Sequence, residues 1–130
     1  MLKGFTKLLL VAALAILAAA GAQAEVYEMR TYTTHEGKLP DLHARFKDHT
    51  IELFEKHGMR NVAYWVPVDT PNTLIYIIAH KDKESAQNNW RAFGSDPQWQ
   101  AVAKASGANG PILVGIENVF MTKTEYSPTD

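Results

Sequence analysis

The chain has 130 residues, a length that suits one domain with its own hydrophobic core. Its composition, 46% hydrophobic and 21% charged, is typical of a globular protein and excludes a disordered or collagen-like chain. The net charge of −1, without any block of like charges, argues against nucleic-acid binding, which needs a dense basic surface. The chain contains no cysteine, so disulfides, thiolate metal sites and cysteine nucleophiles are excluded.

The N-terminal segment, residues 1–24, differs from the rest of the chain. It has no acidic residue, two lysines near its start, an apolar run over residues 8–20 and the small-residue ending Ala22-Gln23-Ala24. This pattern predicts a secretory signal peptide cleaved after Ala24, and therefore an exported protein, periplasmic or secreted. The apolar run is 13 residues long, whereas a membrane-spanning helix needs about 20. We therefore expect the segment to act as a signal, and no stable membrane insertion after its removal. An uncleaved membrane anchor is the alternative.

Residues 25–130 predict one α+β domain. A first strand is predicted over Val26–Thr34, which is rich in β-branched and aromatic residues and lacks Gly and Pro. A helix is predicted over residues 39–57, because Pro40 suits its first turn and Gly58 suits its end.

Two more strands are predicted over residues 61–68 and 73–80, joined by a hairpin loop. The second of these is apolar on both faces. A helix is predicted after Asp82, a short helix after Asp96, and a last strand over residues 112–122.

The order β-α-β-β-α-β is that of a ferredoxin-like fold, an antiparallel sheet with both helices on one face. Helices on one face leave the other face bare, and a strand that is apolar on both faces cannot face water. The simplest cover is the same face of a second copy. We therefore expect a homodimer in which two sheets form an α+β barrel.

Seven short segments, in a fixed order, support this interpretation: YEMRTYT (27–33), GKL (37–39), FEKHG (54–58), YW (64–65), WRAF (90–93), DPQW (96–99) and YSP (126–128). Together they resemble the NIPSNAP family of the dimeric α+β-barrel superfamily, over nearly all of residues 25–130. The resemblance implies the fold and a dimer, and no particular reaction. Animal members are mitochondrial proteins tied to membrane traffic and mitophagy signalling. Related dimeric barrels include cofactor-independent oxygenases and haem-degrading enzymes.

Polar residues on one face of the first strand suggest a reaction site. Glu28, Arg30 and Tyr32 share that face, which we expect to point into the barrel, where they could orient a polar group and move a proton. His80, at the end of the third strand, is expected at the barrel mouth as a general base. His80, Glu28 and Tyr32 are therefore the catalytic candidates. The alternatives are a structural Glu–Arg pair, an interface pair and an ordinary strand-end histidine.

The candidates for ligand binding are Arg30, Tyr64, Tyr76, Glu117 and His43. The two tyrosines alternate with aliphatic residues on neighbouring strands, and a buried phenol needs a partner. Glu117 interrupts an apolar strand, so we expect either an inward carboxylate paired with Arg30 or an exposed residue.

His43 lies on the apolar stripe of the first helix together with Thr50 and His57, and the three could line a pocket between helix and sheet. The alternative is that each bonds a backbone carbonyl. His43, His49 and His57 never occur at i,i+3 or i,i+4 spacing, so one helix cannot hold an ion with two of them. We predict no metal and no cofactor.

The leading hypothesis is a small-molecule-binding protein of the cell envelope, with a ligand that is apolar and has one polar end. The alternatives are a cofactor-independent oxygenase or isomerase, and a protein-interaction module with a filled barrel. A cavity containing a perturbed carboxylate or histidine would favour the enzyme. An apolar cavity without such groups would favour binding, and a filled barrel would favour the interaction module.

Overall fold

The computed structural model describes residues 24–128. All but the last residue of the predicted signal peptide lie outside the described residues. The elements in chain order are β1 (Val26–Thr34), α1 (Leu39–Arg45), a π-helical segment (Phe46–Thr50), α2 (Ile51–Lys56), β2 (Arg60–Trp65), β3 (Thr73–His80), α3 (Lys83–Ser95), α4 (Pro97–Ser106) and β4 (Leu113–Met121).

The four strands form one sheet in the order β2-β3-β1-β4, and all three pairings are antiparallel. The core lies between this sheet and the helices. Leu42, Phe46 and Phe54 from the first helical region and Phe93 from α3 pack over the buried Tyr76 of β3. The predicted ferredoxin-like α+β fold is confirmed.

The first helical region differs in one detail from the predicted continuous helix. A π-helical segment separates α1 from α2, and the amide of Ile51 donates to the carbonyl of Phe46, five residues earlier. The Thr50 hydroxyl donates to the Arg45 carbonyl at 3.2 Å. The wider turn keeps both Phe46 and Thr50 on the buried side, as the apolar stripe predicted.

Helix starts agree with the capping residues in the sequence. Asp82 accepts a hydrogen bond from the amide of Ser85 at 2.7 Å, and Asp96 accepts one from the amide of Gln98 at 2.8 Å. Strand β2 ends at Trp65, earlier than predicted. Pro67 follows two residues later, lacks an N–H, and cannot continue the ladder.

The second face of the sheet has no helix over it in the described part of the chain. Ile75 and Ile77 of β3 are half-buried there, and Val119 of β4 is 45% exposed. The opposite face of β3 is fully buried at Tyr76 and Ile78. The prediction that both faces of β3 are buried is confirmed for the helix-facing side, whereas Ile75 and Ile77 on the other face are half-buried. None of the helices in residues 24–128 has the length and apolarity needed to cross a membrane.

Candidate functional site

The polar face of β1 points toward the helices, not into a barrel between two sheets. Glu28 is fully buried, and Trp90 of α3 reaches it from the helical layer. Tyr32, on the same face, packs edge-to-face against Phe46 with ring centroids 5.8 Å apart. The expected orientation of Glu28, Arg30 and Tyr32 is therefore wrong. These side chains lie in the interface between sheet and helices.

Four donors from four elements surround the Glu28 carboxylate. Oε1 accepts from Trp90 Nε1 at 2.7 Å and lies 2.9 Å from His80 Nε2. Oε2 accepts from Arg30 at 2.7 Å and from Asn118 Nδ2 at 2.9 Å. Each carboxylate oxygen thus has two partners, which is the arrangement that a buried charge requires.

The partners keep Glu28 ionised in spite of its burial. Burial alone would raise the pKa of this carboxyl, because it disfavours the charge. Hydrogen bonds from His80, Trp90 and Arg30, with the charge of Arg30, outweigh burial and lower the pKa from 4.5 to about 2. At neutral pH the carboxylate is therefore an acceptor only, and it cannot serve as an acid.

His80 is fully buried rather than at the mouth of a barrel, so its predicted position is also wrong. Because Glu28 is ionised, the ring nitrogen that faces it, Nε2, holds the proton. Nδ1 is buried and has no hydrogen-bond partner within residues 24–128. His80 could accept a proton only at Nδ1, and that nitrogen is closed to solvent.

Arg30 lies flat against the helical layer. Its guanidinium carbon is 4.2 Å from the ring centroid of Trp90 and 5.5 Å from that of Tyr32. Burial disfavours its charge, but hydrogen bonds to Glu28 and Tyr32 raise its pKa above the ordinary value. Arg30 is therefore a permanent cation, with one NH₂ group committed to Glu28.

Three tyrosines cross the sheet in a row beneath the helices. Tyr64 of β2 stacks on Tyr76 of β3 with centroids 5.0 Å apart, and Tyr76 donates to the hydroxyl of Tyr32 on β1 at 2.8 Å. Tyr64 donates to the side-chain oxygen of Asn61. Burial raises the pKa of both Tyr64 and Tyr76, so both phenols stay protonated.

Glu117 does not pair with Arg30. It lies opposite Thr31 in the β1–β4 register and is exposed on the helix-free face, where it lines a shallow depression of about 150 Å³ with Met29 and Val119. The next residue, Asn118, is the one that lies opposite Arg30 and reaches Glu28. The inward alternative for Glu117 is wrong, and the exposed alternative holds.

His43, Thr50 and His57 do not share a pocket. Thr50 bonds the Arg45 carbonyl, and His57 Nε2 lies 2.7 Å from the Asp96 carboxylate. His43 is exposed on α1, at the side of an apolar groove next to β2.

This groove, which we call the β2 groove, has a volume of about 430 Å³. Its lining comprises His43, Phe46, Lys47, Ile51, Tyr64, Trp65, Val66 and Leu74. Two of the predicted ligand-binding residues, His43 and Tyr64, therefore lie at one site.

Sequence reasoning missed three residues with polar roles. The indole N–H of Trp90 needs an acceptor when buried, and Glu28 supplies it. Asn118 lies 90 residues from Glu28 in sequence, and no local pattern connects them. Arg45 lies within the predicted first helix, and its Nε is buried. In the described part of the chain, no three acidic or histidine side chains converge as a metal site would require.

Comparison with known proteins shows which family the chain resembles. The sequence profile of the NIPSNAP family matches residues 27–128. The fold superposes on an uncharacterized NIPSNAP-like domain protein from Burkholderia xenovorans with a TM-score of 0.72 and 18% identity, covering 83% of this chain and 92% of that one. A NIPSNAP family protein of unknown function from Agrobacterium tumefaciens superposes with a TM-score of 0.70 and 24% identity, covering 81% and 93%. Among curated sequences, none matches this chain significantly.

A more distant fold likeness extends to SnoaB, a cofactor-independent oxygenase from Streptomyces nogalater. The TM-score is 0.56 at 18% identity, covering 82% of this chain and 100% of that one. At this identity the likeness concerns the fold alone. The family profile, in contrast, spans nearly the whole described domain, from the start of β1 to the C-terminal tail. This chain belongs to the NIPSNAP family.

Proposed function

We propose that this protein binds a small, mainly apolar molecule with an anionic end in the β2 groove. The observation that supports the proposal is the groove itself. Its volume of about 430 Å³ falls in the range of small-molecule sites. Its walls are mainly aromatic and aliphatic, and two side chains capable of positive charge, His43 and Lys47, lie among them.

Three exposed apolar side chains lie together at this groove. Ile51 is 38% exposed, Trp65 50% and Val66 52%, and all three line it. Such a concentration on a globular domain is typical of a binding surface. Tyr64 contributes a ring that is held in place by stacking on Tyr76. A ligand would therefore contact a preformed aromatic wall, and it would remove the exposed aliphatic side chains of the groove from water.

The geometry favours binding over catalysis. The predicted catalytic residues Glu28, His80 and Tyr32 are buried, and none of them lines the β2 groove. Glu28, the one carboxylate in this set with a perturbed pKa, is surrounded by four protein donors instead of facing a cavity. The likeness to SnoaB concerns the fold, and it gives this chain no oxygenase residues.

Self-association through the helix-free sheet face belongs to the same proposal. Ile75 and Ile77 lie at the centre of that face, with Met29 and Val119 beside them. A second copy would bury the same apolar residues symmetrically. The proposal also includes export, because the N-terminal segment has the features of a secretory signal. The protein would then act as an exported homodimer.

Titration calorimetry with decanoate tests the β2 groove, because decanoate is an apolar chain with one carboxylate. Val66→Asp places a charge in the groove at a half-exposed position, and we expect it to weaken decanoate binding about 10-fold or more. Val68→Asp is the matched control, since Val68 is 97% exposed and lies outside the groove. Lys47→Gln should weaken decanoate binding more than decanol binding. Equal decanoate affinity in Val66→Asp and Val68→Asp would exclude the groove as the binding site.

A further inference from the structure

A groove of about 520 Å³ lies between α1 and α4, and it shares no lining residue with the β2 groove. Small side chains leave this space open, namely Ala44 on one side and Ala101 and Ala105 of α4 on the other. All three alanines are exposed. The groove, which we call the α1–α4 groove, therefore has the volume of a small-molecule site and apolar walls that a ligand can reach.

Three charged side chains line the α1–α4 groove without neutralising one another. Arg45 follows Asp41 by four residues and precedes Asp48 by three, and these are the spacings at which helical side chains form ion pairs. In residues 24–128, however, neither carboxylate is within ion-pair distance of Arg45. Asp41 lies 3.7 Å from Lys38 Nζ, whereas Asp48 has no ion-pair partner among the described residues. One groove thus contains an unpaired cation and an unpaired carboxylate.

The guanidinium group of Arg45 is held in place and keeps one terminal NH₂ group free. Its carbon lies 5.2 Å from the ring centroid of Trp99, and Nη1 donates to Ser106 Oγ at 3.4 Å. Nε is buried and closed to a ligand. Nη2, in contrast, is not buried and has no hydrogen-bond partner in the described part of the chain. Because Arg45 lines the groove, Nη2 is a donor that an anion in the groove can reach.

We propose that the α1–α4 groove binds a free α-amino acid with an aliphatic side chain. The carboxylate of the ligand accepts from the terminal NH₂ groups of Arg45, and its ammonium group donates to Asp48. Side chains three positions apart on a helical surface have Cβ atoms about 5–6 Å apart, which suits a ligand that carries both charged groups on one carbon. The aliphatic side chain of the ligand then packs on the exposed alanines of the groove.

The two signs of charge favour a zwitterion over a simple anion or cation. A carboxylic acid without an amino group is attracted by Arg45 but repelled by Asp41 and Asp48. An amine without a carboxylate is attracted by the two acids but repelled by Arg45. An α-amino acid gives each unpaired charge of the groove an opposite partner, so the three side chains together select it.

Titration calorimetry of the full chain with L-leucine tests the proposal, together with two analogues that each lack one charge. Isocaproate lacks the ammonium group, and L-leucinamide lacks the carboxylate. We expect each analogue to bind about 10-fold more weakly than L-leucine, or more weakly still, because each leaves one charge of the groove unpaired. Binding of L-leucine at millimolar concentration with this ranking supports the proposal. Absence of L-leucine binding in that range, or equal affinity for L-leucine and either analogue, overturns it.

Two substitutions at exposed positions test the site without disturbing the fold. Asp48→Asn removes the partner of the ammonium group, and Ala105→Leu fills the space for the aliphatic side chain. Each should weaken L-leucine binding about 10-fold or more and leave the unfolding temperature unchanged. Glu52→Gln and Ala92→Leu are the matched controls, since both positions are exposed and lie outside the groove. Equal L-leucine affinity in Asp48→Asn and Glu52→Gln would overturn the proposal.

Arg45→Gln separates a binding arginine from a structural one. It should weaken L-leucine binding and leave L-leucinamide binding unchanged, because only L-leucine has a carboxylate for Arg45 to bind. An equal loss of affinity for both ligands would contradict the role assigned to Arg45. Val66→Asp, which places a charge in the β2 groove, should leave L-leucine affinity unchanged, so the two grooves fail separately.

Discussion

Replacement of Glu28 by Gln tests whether the buried carboxylate stabilises the fold by its charge. Gln keeps the shape of Glu28 but offers one oxygen and one NH₂ group. The oxygen can still accept from Trp90 and His80. The NH₂ group would face Arg30 and Asn118, which are both donors, so these bonds are lost and like groups are opposed.

The expected cost follows from the pKa of Glu28. The folded-state pKa of about 2 lies below the ordinary value of 4.5, so ionised Glu28 favours the folded state. Each pKa unit is worth about 1.4 kcal/mol, so the contribution is about 3 kcal/mol above pH 4.5. Since the folded pKa is lowered, this stability is lost as the pH falls from 4.5 toward 2. About 2 kcal/mol of it should disappear between pH 7 and pH 3.

Urea unfolding at neutral and acidic pH measures both quantities. At neutral pH we expect Glu28→Gln to lower the free energy of unfolding by about 3 kcal/mol, and the difference from the parent protein to narrow in acid. Glu52→Gln is the control, because Glu52 is exposed on α2 and should change stability by less than about 0.5 kcal/mol. If Glu28→Gln were as stable as Glu52→Gln, or if its difference from the parent did not depend on pH, the charge-based account would be refuted.

Three further substitutions test a donor to Glu28, a positive-φ glycine and the helix-free face. Trp90→Phe removes the Nε1–H donor to Glu28 and should lower the free energy of unfolding by about 2 kcal/mol in urea, since that bond goes to a charged group. Gly58→Ala should cost about 1 kcal/mol or more in the same assay. Gly58 has a φ of +78°, and a Cβ there would lie 3.1 Å from Asn89 Nδ2. Ile77→Glu, on the helix-free face, should shift sedimentation toward the monomer while the far-UV circular dichroism stays unchanged. A variant that sediments like the parent protein would argue against dimerisation through that face.

Element types and most boundaries follow from local patterns in the sequence. The bounds of β1 and β3, the caps Asp82 and Asp96 and the buried stripe of the first helical region all agree with the structure. These features depend on alternation, capping chemistry and helical period within a few residues. The ferredoxin-like order follows from them directly.

The surroundings of the candidate residues could not be predicted from local sequence patterns, because they depend on contacts between residues far apart in sequence. The polar face of β1 was expected to point away from the helices, yet the Glu28 carboxylate is hydrogen-bonded there. Three of its partners, His80, Trp90 and Asn118, are separated from Glu28 in sequence by 52, 62 and 90 positions, respectively. Glu117 and Asn118 show that the strand register decides which side chain of β4 faces the helices. These two neighbours point to opposite faces, and the one with the weaker chemical signal is the one that reaches Glu28.

The positions of the candidate residues separate stability from recognition. Glu28 and His80 face only protein groups, so their substitution should act on folding first. Tyr32 differs from them, because its hydroxyl accepts from another phenol, that of Tyr76. Tyr76 also stacks on Tyr64, so the same row of phenols extends from β1 to the wall of the β2 groove. The ligand site that we propose, the β2 groove, therefore lies at one end of the tyrosine row, and the fully bonded carboxylate beside the row joins the sheet to the helices.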